Sequence, residues 1–305
     1  APFNDDGIWR ISGDGKYKWR GDVSSDQMDG VFFGFSLAYD LGANAEQKEL
    51  IGRNVAALAD HLLDNDLRII GYDGQPTMWG SYYKEYVSFR EPMNAMLLLQ
   101  HMKIAAHVTG EQRFKDAYER FANEDGYKDL VPKSRQDRPG ARLNHSDDVL
   151  IWLGLYPLLR LEKDPEMLAI YMQALRRAWE GGENPGIGIE PNPLFAFTVA
   201  AYLNEPGAKR IGVSALEQFP LDMKWNKTRI AAYEEEFDFT FDPAVRSAAP
   251  AEGRPFPLDR RPKTWSVWVQ NPYEGGTRAE DSDMEYNGHD YLVGYWLGRY
   301  HGYID

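Results

Sequence analysis

The chain contains no cysteine. That removes thiol nucleophiles, disulfides and thiolate metal sites together. It contains no run of about 18 apolar residues, so no membrane-spanning helix is expected. Lys and Arg are the minority charges, 34 against 47 Asp and Glu, and they form no block. The resulting net charge of −13 repels a polyanion, and nucleic acid is not an expected partner. The glycine pattern of dinucleotide sites, the phosphate-binding loop, the Gly-x-Ser-x-Gly elbow, His-Glu-x-x-His and the EF-hand spacing are all missing. No cofactor and no obligatory metal are therefore expected.

What remains is an ordinary globular composition, 43% hydrophobic and 27% charged over 305 residues. No low-complexity linker interrupts it, and residues 1–305 read as a single domain. The first residues, Ala1-Pro2-Phe3, lack Met and suit a mature or trimmed chain, for which a secreted or periplasmic location is expected and a cytoplasmic one stays open. Aromatic residues are plentiful, with 18 Tyr and 9 Trp. Most fill space between helices, while a few have the flat face and polar tip that suit a sugar ring.

The apolar periodicity is helical through most of the chain. A run from Ser24 to about Leu41 begins at a Ser cap and stops at Gly42. Ala45 to about Asp64 alternates Leu50, Val55, Leu58 and Leu62 with charges. Pro92 to about Val108 is apolar throughout, and Gln112 to about Phe121 is amphipathic. His145 to about Leu161 is apolar, and Pro165 to Trp179 is amphipathic. The pair Pro193 to about Leu203 and Ala208 to Phe219 repeats the contrast. A helix apolar on all sides belongs inside and an amphipathic one outside. The pattern is thus a loose repeat of helical hairpins. Leu67 to Gly80, with Asp73-Gly74 at its middle, reads as a β-hairpin. Residues 223–283 break the repeat and read as a long ordered excursion, before a last helix from Tyr286 to about Tyr300.

Polar residues cluster where these apolar helices start. The clusters are Asp22 to Asp26, Arg90 to Asn94, Asn144 to Asp148, Glu190 to Pro193, and Asp283 to Asp290. One carboxylate at a helix start is an ordinary cap. Asp22, Asp26 and Asp29 within eight residues exceed that need, and close carboxylates raise one another's pKa. His145 and Asp148 stand at i and i+3, a spacing that can orient an imidazole for proton transfer. Glu91 and Glu190 are weaker candidates.

The hairpin repeat, the acidic helix starts and the Trp and Tyr content together resemble the six-hairpin α/α toroid glycoside hydrolases and polysaccharide lyases. The resemblance covers nearly the whole chain and lies in architecture, with no diagnostic motif. It departs in showing four clear hairpins plus one helix. It implies an all-α toroid acting on an oligosaccharide or polysaccharide. The expected chemistry is inverting hydrolysis, with Asp26 and Asp148 as the carboxylate pair and Asp22, Asp147 and His145 beside them. Arg90, Asn94, Asn144, Tyr286 and His289 are expected to bind sugar, with Trp79, Trp265 or Trp268 stacking on it. Three alternatives remain. A lyase would use Tyr286 or His145 as base on a uronate. A non-catalytic glycan-binding protein would need neither carboxylate. A terpene-type cyclase would need a greasier cavity than these polar clusters allow.

Overall fold

Caps and breakers set the helix boundaries. In a computed structural model, α1 (Ser25–Leu41) starts where the Gln27 side chain accepts the Ser24 backbone N–H at 3.0 Å. α2 (Ala45–Asp64) starts where Asn44 and Gln47 exchange such bonds at 2.9 Å. Pro92 opens α4 (Pro92–Thr109), and Gly110 closes it in the left-handed conformation, φ 73°. α5 (Gln112–Glu119), α6 (His145–Leu161), α7 (Pro165–Glu180), α8 (Pro193–Tyr202) and α9 (Ala208–Glu217) follow, and His289–Tyr300 is the C-terminal helix. The structure describes residues 9–135, 144–182, 185–221, 224, 228–229, 255–258, 261, 266–272, 276–277, 285 and 287–305.

The molecule is mostly helical, as the periodicity predicts. The expected hairpin is present, β3 (Arg68–Ile70) against β4 (Pro76–Ser81), both antiparallel with a register irregularity between Arg68 and Ile70. Two further small sheets join it among the described residues. They pair β1 (Trp9–Ile11) with β2 (Lys18–Arg20), and β5 (Thr228–Arg229) with β6 (Gly276–Thr277). Strands of two or three residues carry too little alternation to be read from sequence. The same holds for α3 (Lys84–Phe89), which is one and a half turns long.

The chain divides into two compact units, residues 1–134 with 153–170, and residues 135–152 with 171–305. In the first, α4 is buried along almost its whole length and packs against α1, α2, α3 and α5. α1 departs from the expectation of an all-buried helix. Met28, Asp29, Phe32 and Ser36 face inward, while Gly30, Val31 and Gly34 are exposed. Glu162, a buried carboxylate just past α6, accepts from Lys103 Nζ at 2.7 Å and from the Tyr118 hydroxyl. The Lys163 and Asp164 backbone N–H groups complete its shell at 2.7 and 2.9 Å. Nearby, Arg160 pairs with Asp40 at 2.6 Å and donates to Ser36 Oγ at 2.9 Å.

In the second unit α8 is the buried element, with α9 and the C-terminal helix against it. Gly212 lets α9 approach α8. A Cβ there would sit 2.5 Å from Phe197 Cε1. Gly212→Ala is expected to cost about 1–3 kcal/mol through forced repacking, although alanine is the better helix former. Chemical denaturation checks this, and an unchanged midpoint would show that Phe197 moves aside freely.

Candidate acid and base site

Two of the polar helix starts converge in the second unit. His145 and Asp148 occupy the first turn of α6, and Glu190 lies two residues before Asn192, the cap of α8. All three are buried. One nitrogen or oxygen from each lies within 4.8 Å of one from each of the others. Asn192 fixes the approach, because its side-chain oxygen accepts from Leu194 N at 3.0 Å. The Glu190 backbone N–H bonds Ile187 O at 2.9 Å, in the short turn Ile187–Ile189.

Arg135 completes the cluster. Its Nε donates to Asp148 Oδ1 at 2.9 Å, its Nη2 reaches Asp148 Oδ2 at 3.5 Å, and its Nη1 donates to Pro185 O at 2.9 Å. His145 Nδ1 stands 3.6 Å from Asp148 Oδ2. Burial alone would raise the Asp148 carboxyl. The Arg135 charge and the His145 contact overcome it and hold the group below the usual carboxylate range. Glu190 behaves oppositely. Burial, reinforced by the Asp148 charge, pushes it up to about 7, although His145, Arg261 and Arg135 oppose the rise. One acid is thus kept ionised beside another that still holds its proton about half of the time at neutral pH. Three donor atoms this close also suit a divalent ion, but Arg135 already occupies the Asp148 carboxylate and adds a positive charge.

The other expected residues are dispersed. Asp147 accepts from Asn144 Nδ2 at 2.8 Å, and Asn144 Oδ1 accepts from Ser146 Oγ at 2.8 Å, so Asn144 serves as a helix cap. His289 is half-exposed and contacts Asn287 and Asp290. Trp268 is buried. Its indole N–H donates to Asp290 O at 3.1 Å, and its ring lies 5.9 Å from Phe219. That placement makes Trp268 a core residue and corrects the expectation that it stacks on sugar. Trp265 and Tyr286 lie outside the described residues.

In the first unit, Asp26 is exposed at the start of α1, and Asp22 Oδ1 accepts from Met78 N at 3.0 Å. Arg90 is exposed, Trp79 is exposed, and Asn94 is buried with its amide donating to Ser81 O at 2.9 Å. The buried carboxylate of the first cluster is Asp29. Among the described residues, neither of its oxygens has a hydrogen-bond partner, and the same holds for the Tyr82 hydroxyl and both ring nitrogens of His101. The His101 ring stacks on Phe32 at 4.3 Å and meets Tyr82 edge-on at 5.5 Å. Burial, with the Asp26 charge added, raises Asp29 well above its ordinary range, and burial lowers His101 to about 3.

These shifts predict opposite pH effects on stability. The raised Asp29 contributes stability below the unfolded Asp pKa and loses it as pH rises through its folded value. The depressed His101 contributes above the unfolded His pKa and loses it as pH falls from about 6.5 towards 3. Asp29→Asn is expected to remove the decline in Tm that sets in as pH rises above the ordinary Asp value of 3.8, and to keep the acid decline set by His101. If thermal scans across pH show the first decline unaltered, Asp29 is ionised in the folded protein.

Sequence reasoning underrated Glu190 and missed Arg135 and Arg261. Glu190 had one signal, the Glu-Pro-Asn-Pro start of an apolar helix. No protein-family model, curated protein or solved structure matches the chain.

Proposed function

We propose that the chain is a carbohydrate-cleaving enzyme in which Glu190 is the proton donor. The observation that carries this reading is the convergence of two helix starts on a buried acid whose pKa is raised to about 7, beside an ionised Asp148. Hydrolysis of a glycosidic bond needs a proton on the leaving oxygen as the bond to the anomeric carbon breaks. A carboxyl group with a pKa near 7 is matched to that transfer. Water adds to the anomeric carbon, and its proton leaves to a base.

Asp148 does not act as that base. Oxygens within 4.8 Å of Glu190 leave less than the gap of about 6.5–9.5 Å that an attacking water requires. Its Arg135 bonds further remove it from proton exchange. Asp148 is a positioning residue that sets the charge around Glu190. This reading gives the proton donor to Glu190, outside the expected pair of Asp26 and Asp148. The alternation of buried and amphipathic helices supports an α/α toroid as the frame.

The test is product analysis on a panel of neutral and uronate polysaccharides. New reducing ends without an unsaturated product support hydrolysis. Ultraviolet absorbance from an unsaturated sugar would replace it with β-elimination, with His145 as base. Absence of any cleavage across the panel would leave a glycan-binding role.

A further inference from the structure

The two β-hairpins of the first unit turn large apolar side chains outward. Trp9 and Trp19 are exposed on the first, and Tyr72, Met78 and Trp79 are 70%, 58% and 57% exposed on the second. Trp19 shares its face of the first hairpin with Arg10 and meets Tyr72, while Trp9 points to the other face, so the shared aromatic surface is the Trp19–Tyr72 pair. Next to it lies a cleft of about 360 Å³, lined among others by Asp22, Tyr72, Asp73, Gln75, Pro76 and Met78. Among the described residues, no Lys or Arg lines it.

The polar groups of the cleft are held in place from behind. Asp22 adopts the left-handed conformation, φ 57°, and its Oδ1 accepts from Met78 N at 3.0 Å. Asp73 Oδ1 accepts from Gln75 N at 3.0 Å. Each bond uses one carboxylate oxygen and fixes the direction of the other. The Tyr72 ring is held by the Arg10 guanidinium, 4.5 Å from its centroid, and by Trp19, whose ring centroid lies 5.7 Å away at a steep angle. A fixed ring face beside fixed acceptors is preorganised for a ligand with an apolar face and hydroxyls around its rim.

We propose that this cleft binds a neutral glycan chain, as a site separate from the acid cluster and confined to the hairpins of the first unit. The inference rests on the reading of the chain as a glycan-cleaving enzyme and narrows its substrate. Tyr72 stacks on a sugar ring, and Asp22, Asp73 and Gln75 take hydroxyl hydrogen bonds. The volume, at the small end of ligand sites, fits one or two sugar rings. Two carboxylates line the cleft, and the one guanidinium beside it, Arg10, is stacked on the Tyr72 ring, so the lining favours an uncharged polymer over a uronate chain.

Affinity electrophoresis of the full chain tests this, in native gels containing soluble starch, mixed-linkage β-glucan, galactomannan or polygalacturonate. The expected result is retardation by at least one neutral polymer and none by polygalacturonate. Tyr72→Ala and Asp73→Asn each weaken that retardation by about tenfold, and chelator leaves it unchanged. Both positions are exposed, so both variants keep the wild-type Tm. Retardation by no neutral polymer, retardation by polygalacturonate alone, retardation equal in both variants and wild type, or loss on adding EDTA each overturns the proposal. The last outcome would make the cleft a cation site. Glu190→Gln separates the two readings. Binding through Tyr72 without cleavage by the wild type defeats the enzymatic reading and leaves the cleft. Cleavage lost in Glu190→Gln, with binding indifferent to Tyr72, defeats the cleft and leaves the enzyme.

Discussion

Glu190→Gln is expected to lower turnover on the cleaved glycan by about 10²–10⁴-fold, the usual contribution of a positioned proton donor. Gln matches the shape and neutrality of protonated Glu, so the buried site keeps its packing. The wild-type rate should fall above pH 7, because Glu190 must carry its proton and its pKa is about 7. The variant should lack that limb. A substrate with an activated aryl leaving group needs little protonation, and on it the deficit should shrink. An equal deficit on both substrates would show that Glu190 binds rather than donates. Stability moves with the same group. A raised carboxyl contributes stability below the unfolded Glu pKa and loses it as pH rises through the folded value. The wild type should therefore lose stability as pH rises from about 4.5 to about 7 and level off above that, while Glu190→Gln should show no such loss.

The second large effect concerns the pair that tunes this acid. Arg135→Met removes the bidentate partner of Asp148 and leaves a carboxylate buried beside Glu190. Breaking a buried pair from one side costs about 3–5 kcal/mol. In a protein of this size that corresponds to a fall in Tm of roughly 10 °C. The double variant Arg135→Met with Asp148→Asn should recover much of the loss, since no unpaired charge remains. Calorimetry on the four proteins measures the coupling. A single-variant loss under about 1 kcal/mol would mean that the pair behaves like a solvent-exposed one.

Much of the helical frame was legible because its signals are local. Ser24, Asn44, Pro92 and Gly110 mark ends through bonds made within one turn. The apolar run from Met93 to Ile104 announces a helix buried on every side. The sites were less legible because burial is a property of the assembled chain. Asp26 and Asp29 stand three residues apart on one helix, yet only Asp29 is enclosed. Asp148 was legible as a functional candidate by its spacing from His145. Its locked state was not, since Arg135 sits in a polar stretch with no pattern of its own. Glu190 belongs to a turn without periodicity, and its elevated pKa depends on residues distant in sequence.

The layout of the two units bears on how the protein is made. The first unit consists of residues 1–134 and 153–170, and it encloses Glu162 among groups from α4 and α5. During synthesis, Lys103 and Tyr118 leave the ribosome well before their acidic partner exists. The first unit therefore cannot seal its interior until the segment that opens the second has already emerged. Neither unit is a continuous stretch of polypeptide, so no single truncation isolates one intact. A nascent chain halted between residues 134 and 153 would hold an unfinished core, the state in which a chaperone would meet it.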